Sequence, residues 1–107
     1  MKPQQYDIVM VNLDPTVGSE IKKTRPCAIL SPNELNRNLQ TVIIAPITST
    51  SKPYPSRIPT KSIKPQGWLV LEQLRCIDKS LIIKKMGQLT PDEISACKST
   101  LEELLVW

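Results

Sequence analysis

The chain has 107 residues, of which 40% are apolar, and it carries a net charge of +4 without a single histidine. This length suits one compact domain, and we expect residues 1–107 to form it. Without histidine, acid–base chemistry falls to arginine, lysine, carboxylate, tyrosine or hydroxyl groups. No apolar run reaches about 18 residues, so no transmembrane helix is predicted. The polar N-terminal residues also predict no secretory signal.

The charge is uneven along the chain. Residues 1–89 contain 13 Lys and Arg against 6 Asp and Glu, a net charge of +7, whereas residues 90–107 have a net charge of −3. A basic segment can attract RNA, DNA or an acidic peptide, although it can equally serve solubility alone. Three cysteines, Cys27, Cys76 and Cys97, are an odd number without metal-site spacing. They favour reduced, mostly buried thiols in a cytoplasmic protein over disulfides or zinc.

The first half of the chain predicts three strands and a short helix. Apolar and β-branched residues predict strands over 6–13, 27–30 and 41–47. Ser31-Pro32-Asn33-Glu34 has the pattern of a capping box with proline at the first helical position, which predicts a helix of one or two turns. Pro46 indicates an edge strand or a bulge near the end of the third strand.

The second half predicts three more strands and a longer helix. A loop follows Thr48, and strands are predicted over 56–59, 67–74 and 81–85. A second capping box at residues 90–93 begins a helix that runs to about residue 105. Its apolar side chains fall on one face at helical spacing: Ile94, Cys97, Leu101, Leu104 and Leu105. Together these elements predict a small, mainly antiparallel β-barrel or curled sheet with a C-terminal helix.

Polar side chains stand within or directly after several of the apolar strands. They are Gly18-Ser19-Glu20 and Arg25 around the first loop, Thr48 after the third strand, and Glu72-Gln73 inside a predicted strand. Binding and catalytic groups are often carried by loops on a rigid scaffold. Each feature also has an ordinary structural explanation, namely a turn, a surface ion pair, a strand-end hydroxyl or a solvated strand position.

Five blocks of the sequence resemble, in their order, the MazF/PemK family of toxin–antitoxin endoribonucleases. The blocks are 14–20 (DPTVGSE), 25–31 (RPCAILS), 36–37 (NR), 45–49 (APITS) and 71–79 (LEQLRCIDK). The resemblance implies a CcdB/MazF-type barrel related to SH3-like folds, assembled as a homodimer. It implies a metal-independent, sequence-specific endoribonuclease that cuts single-stranded RNA without a cofactor. Such toxins leave 2′,3′-cyclic phosphate and 5′-hydroxyl ends, and a MazE-like antitoxin with an acidic, disordered tail neutralises them.

The resemblance also assigns roles to individual residues. In the MazF branch the arginine of Arg-Pro and the threonine of Pro-Ile-Thr form the catalytic pair, and they match Arg25 and Thr48. The loop residues Ser19 and Glu20 and the strand residue Gln73 match positions that contact RNA near the cut. Because histidine is absent, we regard Glu20 as the candidate general base, with Arg25 as the candidate acid.

Three further residues are candidates for RNA binding. Lys22 and Lys23 make the first loop more basic than in many members, which suits salt-dependent phosphate contacts. Tyr54 lies in a predicted flexible loop and could stack on an unpaired base, although filling the loop is the simpler role. The catalytic set of PemK-type members, a histidine, an arginine and an aspartate, is replaced by Ser19, Val70 and Glu72. Only the MazF-type set can therefore operate.

Three alternatives stay open at the level of sequence. A CcdB-like toxin would bind a DNA gyrase subunit instead of cutting RNA. An SH3-like module would hold RNA or an acidic peptide without chemistry, as expected if Arg25 is locked in an ion pair. A degenerate family member would be held by an antitoxin and retain little activity.

Overall fold

The computed structural model describes residues 2–13, 24–50, 52–63 and 66–106. Within these ranges the chain forms seven strands, two α-helices and two 3₁₀ turns. The strands are β1 (Asp7–Asn12), β2 (Thr24–Ile29), β3 (Thr41–Thr48), β4 (Arg57–Thr60), β5 (Gly67–Val70), β6 (Arg75–Asp78) and β7 (Ile82–Gln88). The helices are α1 (Asn33–Asn38) and α2 (Pro91–Leu105), and the 3₁₀ turns are Leu71–Gln73 and Lys79–Leu81.

All seven strands join one antiparallel sheet. Its order is β4-β5-β3-β2-β1-β7, and β6 pairs with β3. The described strands at the two ends of this order, β4 and β7, do not pair with each other, so the sheet is open and curled. The predicted mainly β fold with a C-terminal helix is confirmed, whereas the word barrel overstates the closure.

The sheet buries apolar side chains on both faces, because alternate residues of a strand point to opposite faces. One face packs under α2 through a cluster that includes Ile8, Ala28, Ala45, Ile47, Leu69 and Cys97. The other face buries Val9, Val11, Cys27, Ile29, Val42, Ile44 and Ile77. Strands buried on both sides give nearly continuous apolar runs, which is why the sequence showed little polar alternation.

The strand prediction over 67–74 is wrong in its second half. The chain leaves β5 after Val70, makes the 3₁₀ turn Leu71–Gln73 and continues as β6, which was not predicted. The reason is tertiary: β3 pairs with β5 at Ile47 and Thr48 but with β6 over 41–44. The 3₁₀ turn carries the chain from one stretch of β3 to the other. Strand β2 also begins at Thr24, earlier than predicted, and β7 extends to Gln88.

Pro46 does not mark an edge strand, contrary to one of the two predictions made for it. It lies in β3, which has neighbours on both sides, and it is paired with Cys27 of β2. The ladder with β6 ends at Ile44 and the ladder with β5 begins at Ile47. A residue without an N–H group fits this gap between two ladders.

The capping box predicted at Ser31 is absent, although the short helix is present. Pro32 takes the cap position of α1 without a side-chain hydrogen bond. The Ser31 hydroxyl instead donates to the side-chain carbonyl of Asn36 and accepts from the backbone N–H of Ile43 at 3.0 Å. Ser31 and Asn36 are both buried, so this pair stabilises the turn between β2 and β3 as a satisfied polar contact.

The second capping box forms as predicted and reaches beyond its own helix. The Thr90 hydroxyl accepts from the N–H of Glu93, and the Glu93 carboxylate accepts from the N–H of Thr90. Glu93 also accepts from the backbone N–H of Lys61 at 2.7 Å and from the hydroxyl of Ser62. This buried carboxylate therefore ties α2 to the segment that follows β4.

The apolar face predicted for α2 is buried over its first part and exposed at its end. Cys97 is fully buried and Ile94 and Leu101 pack against the core, but Leu104 and Leu105 are 38% and 62% exposed. None of the three cysteines forms a disulfide, and Cys76 is exposed while the other two are buried. Among the described helices, none is long and apolar enough to cross a membrane.

Candidate functional site

Arg25 and Thr48 occupy the same end of the β2–β3 ladder. The ladder pairs Ala28 with Ala45 and Cys27 with Pro46, and each predicted residue stands two positions beyond the second of these pairs. Residues two apart on a strand share a face, and paired residues point to the same side. The register therefore places both side chains on one face of the sheet, as the predicted catalytic pair requires.

The surroundings of Arg25 leave its guanidinium without a carboxylate partner among the described residues. Arg25 is exposed. The ion pairs between described residues join Arg57 to Glu72 and Lys85 to Asp7, and neither involves Arg25. The half-buried Thr48 donates its hydroxyl to the carbonyl of Thr50 at 3.2 Å. The described residues thus do not show the locked arginine that would have favoured a binding module without chemistry.

A cavity of about 360 Å³ opens beside Arg25. Its lining comes from five strands or their ends, and it includes Met10 of β1, Ser49 after β3, Gly67 of β5 and Met86 of β7. The Thr48 side chain does not line it, although both neighbours of Thr48 in the chain do. Among the described lining residues, apolar side chains outnumber polar ones and Arg25 is the one cation, which suits an anionic ligand that also carries apolar groups.

Gly67 sets how closely β5 can approach Thr48. A Cβ atom at this position would lie 2.8 Å from the carbonyl oxygen of Thr48 and 2.7 Å from Cγ2 of Ile47. Any other residue would force the two strands apart at the point where Thr48 is held. This role was not predicted from the sequence, where the available signal was a glycine at the start of an apolar strand.

Cys27 lies beneath the same arginine but is not a reactive group. Burial raises the pKa of its thiol to about 12, even though the guanidinium groups of Arg25 and Arg75 act in the opposite direction. The thiol therefore stays protonated and donates to the backbone carbonyl of Arg25 at 3.5 Å. The influence of Arg75 reveals a second cation near this face, which was not predicted from the sequence.

The predicted RNA-binding residues Gln73 and Tyr54 lie beside β3 and in the loop before β4. Gln73 is exposed in a 3₁₀ turn, not within a strand as predicted. Tyr54 is 49% exposed, and the guanidinium carbon of Arg57 lies 4.7 Å from the centre of its ring. Arg57 in turn pairs with Glu72, which is exposed but lies in the 3₁₀ turn and not in the strand predicted for it.

Four of the predicted site residues fall outside the described ranges: Ser19, Glu20, Lys22 and Lys23. Their roles stay predictions. In the ranges that are described, no group of histidine, cysteine and carboxylate side chains is arranged to hold a metal ion. Of the described candidates, the structure brings together Arg25 and Thr48 on one face, whereas Gln73 lies in a 3₁₀ turn and Tyr54 in the loop before β4.

Comparison with known proteins identifies a family and a fold over nearly the whole chain. Residues 4–105 match the family described as PemK-like, MazF-like toxin of type II toxin-antitoxin system. The chain is 29% identical over 104 residues to the endoribonuclease toxin MazF of Escherichia coli (strain K12), covering 96% of this chain and 94% of that protein.

Solved structures show the same fold. A MazE–MazF crystal structure from Deinococcus radiodurans aligns with a TM-score of 0.86 and 24% identity, covering 99% of this chain and 97% of that one. A mycobacterial endoribonuclease in complex with its cognate antitoxin aligns with a TM-score of 0.83 and 19% identity, covering 97% and 95%.

Proposed function

Because this chain belongs to the family of PemK-like, MazF-like toxins of type II toxin–antitoxin systems, we propose that it is a metal-independent endoribonuclease. Its substrate is single-stranded RNA, which it cuts at short sequences, and the destruction of RNA inhibits translation. The observation that carries the proposal is the position of Arg25 and Thr48 on one face at the same end of the β2–β3 ladder.

The reaction needs little covalent participation from the protein. The 2′-hydroxyl of the ribose attacks the adjacent phosphorus, the bond to the 5′-oxygen breaks, and a 2′,3′-cyclic phosphate and a 5′-hydroxyl result. The nucleophile is already positioned within the substrate. Arg25 offers a fixed fork of donors to the negative charge that builds up on the phosphorane, and Thr48 adds a hydroxyl donor when it exchanges the Thr50 carbonyl for a phosphate oxygen.

Two residues carry out the proton transfers, one in the first loop and one directly after it. Glu20 accepts the proton of the 2′-hydroxyl, and Arg25 supplies the proton to the leaving 5′-oxygen while it clamps the phosphate. A Glu20→Gln enzyme should lose the lower limb of the pH–rate profile of kcat/KM. An unchanged profile would remove Glu20 from this role.

The remaining residues of the proposed site bind the RNA strand. Ser19 and Gln73 lie beside the cut, Tyr54 contacts a base, and Lys22 and Lys23 contact phosphates. The double variant Lys22→Ala/Lys23→Ala should weaken RNA binding and reduce the slope of log K against log salt. The expected reduction is about 0.7 for each phosphate that a lysine no longer neutralises. A slope equal to that of the wild type would exclude these phosphate contacts.

We also infer the partners of the protein from its charge and surface. The antitoxin is MazE-like, and its acidic, disordered tail covers the RNA site in the cytoplasm. The net charge of +7 over residues 1–89 and the solved antitoxin complexes of related toxins support this. The protein works as a homodimer, which is consistent with exposed apolar residues such as Leu105 and Val106 at the end of α2. Light scattering after size exclusion would test the dimer directly.

The deciding experiment is RNA cleavage in EDTA with a long mixed-sequence substrate. Wild type should cut at a restricted set of sites and leave cyclic phosphate ends, and Arg25→Ala should not. Arg37→Ala is the matched control, because it removes an exposed arginine from α1, at the opposite end of β2. A folded wild type that leaves the RNA intact would favour gyrase binding, or RNA binding without chemistry.

A further inference from the structure

We propose that Tyr54, Arg57 and Glu72 form a preassembled stacking surface for one unpaired base of the RNA, in which Arg57 and Glu72 are positioning residues. The inference deepens the proposed function and rests on it. It adds two residues to the RNA site that the family resemblance did not supply.

The first support is the geometry of the arginine. Arg57 donates from Nη2 to Oε2 of Glu72 at 2.6 Å and from Nε to the same oxygen at 3.1 Å. A weaker contact of 3.4 Å joins Nε to Oε1, which also accepts the Ser56 hydroxyl at 2.7 Å. The guanidinium is thus held in one plane by several contacts at once, unlike a single-point surface ion pair.

The second support is the stacking of the Arg57 guanidinium on the ring of Tyr54. The guanidinium carbon lies 4.7 Å from the centre of the Tyr54 ring, within the range of a stacked cation–π contact. About half of the tyrosine surface stays exposed, at 49%. A tyrosine in a loop rich in proline and serine would otherwise sample several rotamers. Here the arginine fixes the ring before a ligand arrives, which lowers the entropic cost of binding.

The third support is the location of the group relative to the cleavage site. Trp68 of β5 is paired with Thr48 on one side and with Pro59 of β4 on the other. Arg57 stands two residues before Pro59, so it projects from the same face as Thr48. Two strand spacings, about 10 Å, separate Thr48 from Pro59, and Arg57 stands about 7 Å further along β4, so Arg57 and Thr48 lie about 12 Å apart. That separation suits a nucleotide that flanks the cut bond.

The arrangement also links stacking to sequence reading. A stack accepts any base, because every base has an aromatic face. Reading a base requires hydrogen bonds to its edge, which an amide such as Gln73 can supply. Glu72 and Gln73 are neighbours in one 3₁₀ turn, so the clamp on Glu72 fixes the stacking ring and the reading amide relative to each other. Removal of the Arg57 side chain should therefore affect both affinity and the choice of cleavage site.

The charges of the pair persist at neutral pH. The hydrogen bond from Arg57 lowers the pKa of Glu72, and the hydrogen bond to Glu72 raises the pKa of Arg57. The surface is therefore complete under conditions in which RNA is cut. It has no net charge of its own, which leaves phosphate binding to the basic residues elsewhere.

The test uses an RNA with 2-aminopurine at each position flanking the cut, in a cleavable form and in a form with a 2′-deoxy sugar at the cut. Stacking on the surface should quench the fluorophore at one flanking position. Tyr54→Ala and Arg57→Ala should abolish that quenching and raise KM by about 5- to 150-fold, with a smaller change in kcat. Arg57→Ala should also widen the set of cleavage sites, while Tyr54→Phe should retain the quenching because it keeps the aromatic ring.

The controls separate this inference from folding and from the proposed function. Lys98→Ala removes an exposed charge on α2 and should match the wild type. If Arg57→Ala does not fold, Tyr54→Ala still decides the point. A wild type that cuts RNA while Tyr54→Ala keeps its KM and quenching would overturn the stacking surface alone. A wild type that quenches the base but never cuts would overturn the endoribonuclease and support the surface.

Discussion

The strand pairs β2–β3 and β4–β5 each present an arginine on the same face of the sheet, but in opposite electrostatic settings. Arg57 is held by both oxygens of Glu72 and covered by a tyrosine ring. Arg25 stands at the rim of a cavity, and no described carboxylate pairs with it. The two side chains have the same chemistry, so the role of each arginine follows from the partner that the fold supplies.

The largest effect is expected at Arg25, where the charge has no described carboxylate partner. Arg25→Ala should lower kcat for RNA cleavage by about 10²–10³, because one donor to the developing negative charge is removed. The melting temperature should change little, since the side chain is exposed. Single-turnover kinetics and thermal unfolding of the same sample would measure both. A variant that unfolds instead would show that Arg25 stabilises the β2–β3 ladder.

The next effect concerns the hydrogen bonds by which Glu93 joins α2 to the segment after β4. Glu93→Gln should lower the free energy of unfolding by about 1–3 kcal/mol, because donors from Lys61 and Ser62 lose a charged acceptor. Burial alone would raise the pKa of Glu93, but hydrogen bonds from Ser62, Thr90 and Lys61 outweigh it and lower the pKa. Its stabilising contribution is therefore complete above the ordinary value of 4.5 and declines as the pH falls below it.

Denaturant titrations of Glu93→Gln between pH 3 and 7 would check this, with exposed Glu102→Gln as the control. The stability difference from wild type should shrink towards low pH. A difference that stays constant across that range would mean that the charge of Glu93 does not matter.

A smaller effect is expected when Arg25 is given a carboxylate partner, as Arg57 already has in Glu72. Ser49 lines the same cavity as Arg25, so Ser49→Glu places a carboxylate near the guanidinium. We expect about a tenfold decrease in kcat/KM, because the new charge competes for the arginine and repels the phosphate. Ser49→Gln controls for side-chain size. Equal rates for the glutamate and glutamine variants would place the phosphate elsewhere.

The smallest effect is expected when the clamp on Arg57 is weakened. Glu72→Gln should reduce the free energy of unfolding by at most about 1 kcal/mol, since solvent screens a pair whose carboxylate side chain is 32% exposed. Because the pKa of Glu72 is lowered in the folded protein, any contribution is present above its ordinary value and disappears as the pH falls. Urea unfolding at pH 7 would measure it, and a decrease of several kcal/mol would make the clamp a folding element.

Local sequence patterns were enough to predict the elements that depend only on residues close to one another in the chain. The strands β1 and β3, and helix α2 with its capping box at Thr90, are confirmed because apolar runs and caps act over a few residues. The break after Val70 escaped prediction, because it depends on how β3 divides its pairing between β5 and β6. The capping box at Ser31 is absent for a similar reason: the Ser31 hydroxyl hydrogen-bonds instead with the Asn36 side chain and with the N–H of Ile43 on the next strand.

The residues of the site show the same difference between local motifs and contacts made by the fold. Arg25 and Thr48 were identified because their motifs resemble those of a known family, and the register of β2 and β3 then placed them on one face. The pairing of Arg57 with Glu72 joins residues 15 positions apart and has no signature in the sequence. The close approach at Gly67 likewise depends on a strand about 20 residues earlier. Contacts of this kind are created by the fold.

The pairing of β1 with β7 has a consequence for the order in which the protein matures during synthesis. Asp7 of β1 is aligned with Gln88 of β7, so the ladder between these two strands cannot form until β7 has been synthesised. Met86 of β7 also supplies a wall of the cavity beside Arg25. A nascent chain that still lacks residues 82–88 has its proposed catalytic arginine but cannot have a finished site. Activity should therefore appear only after residues 82–88 have left the ribosome and paired with β1.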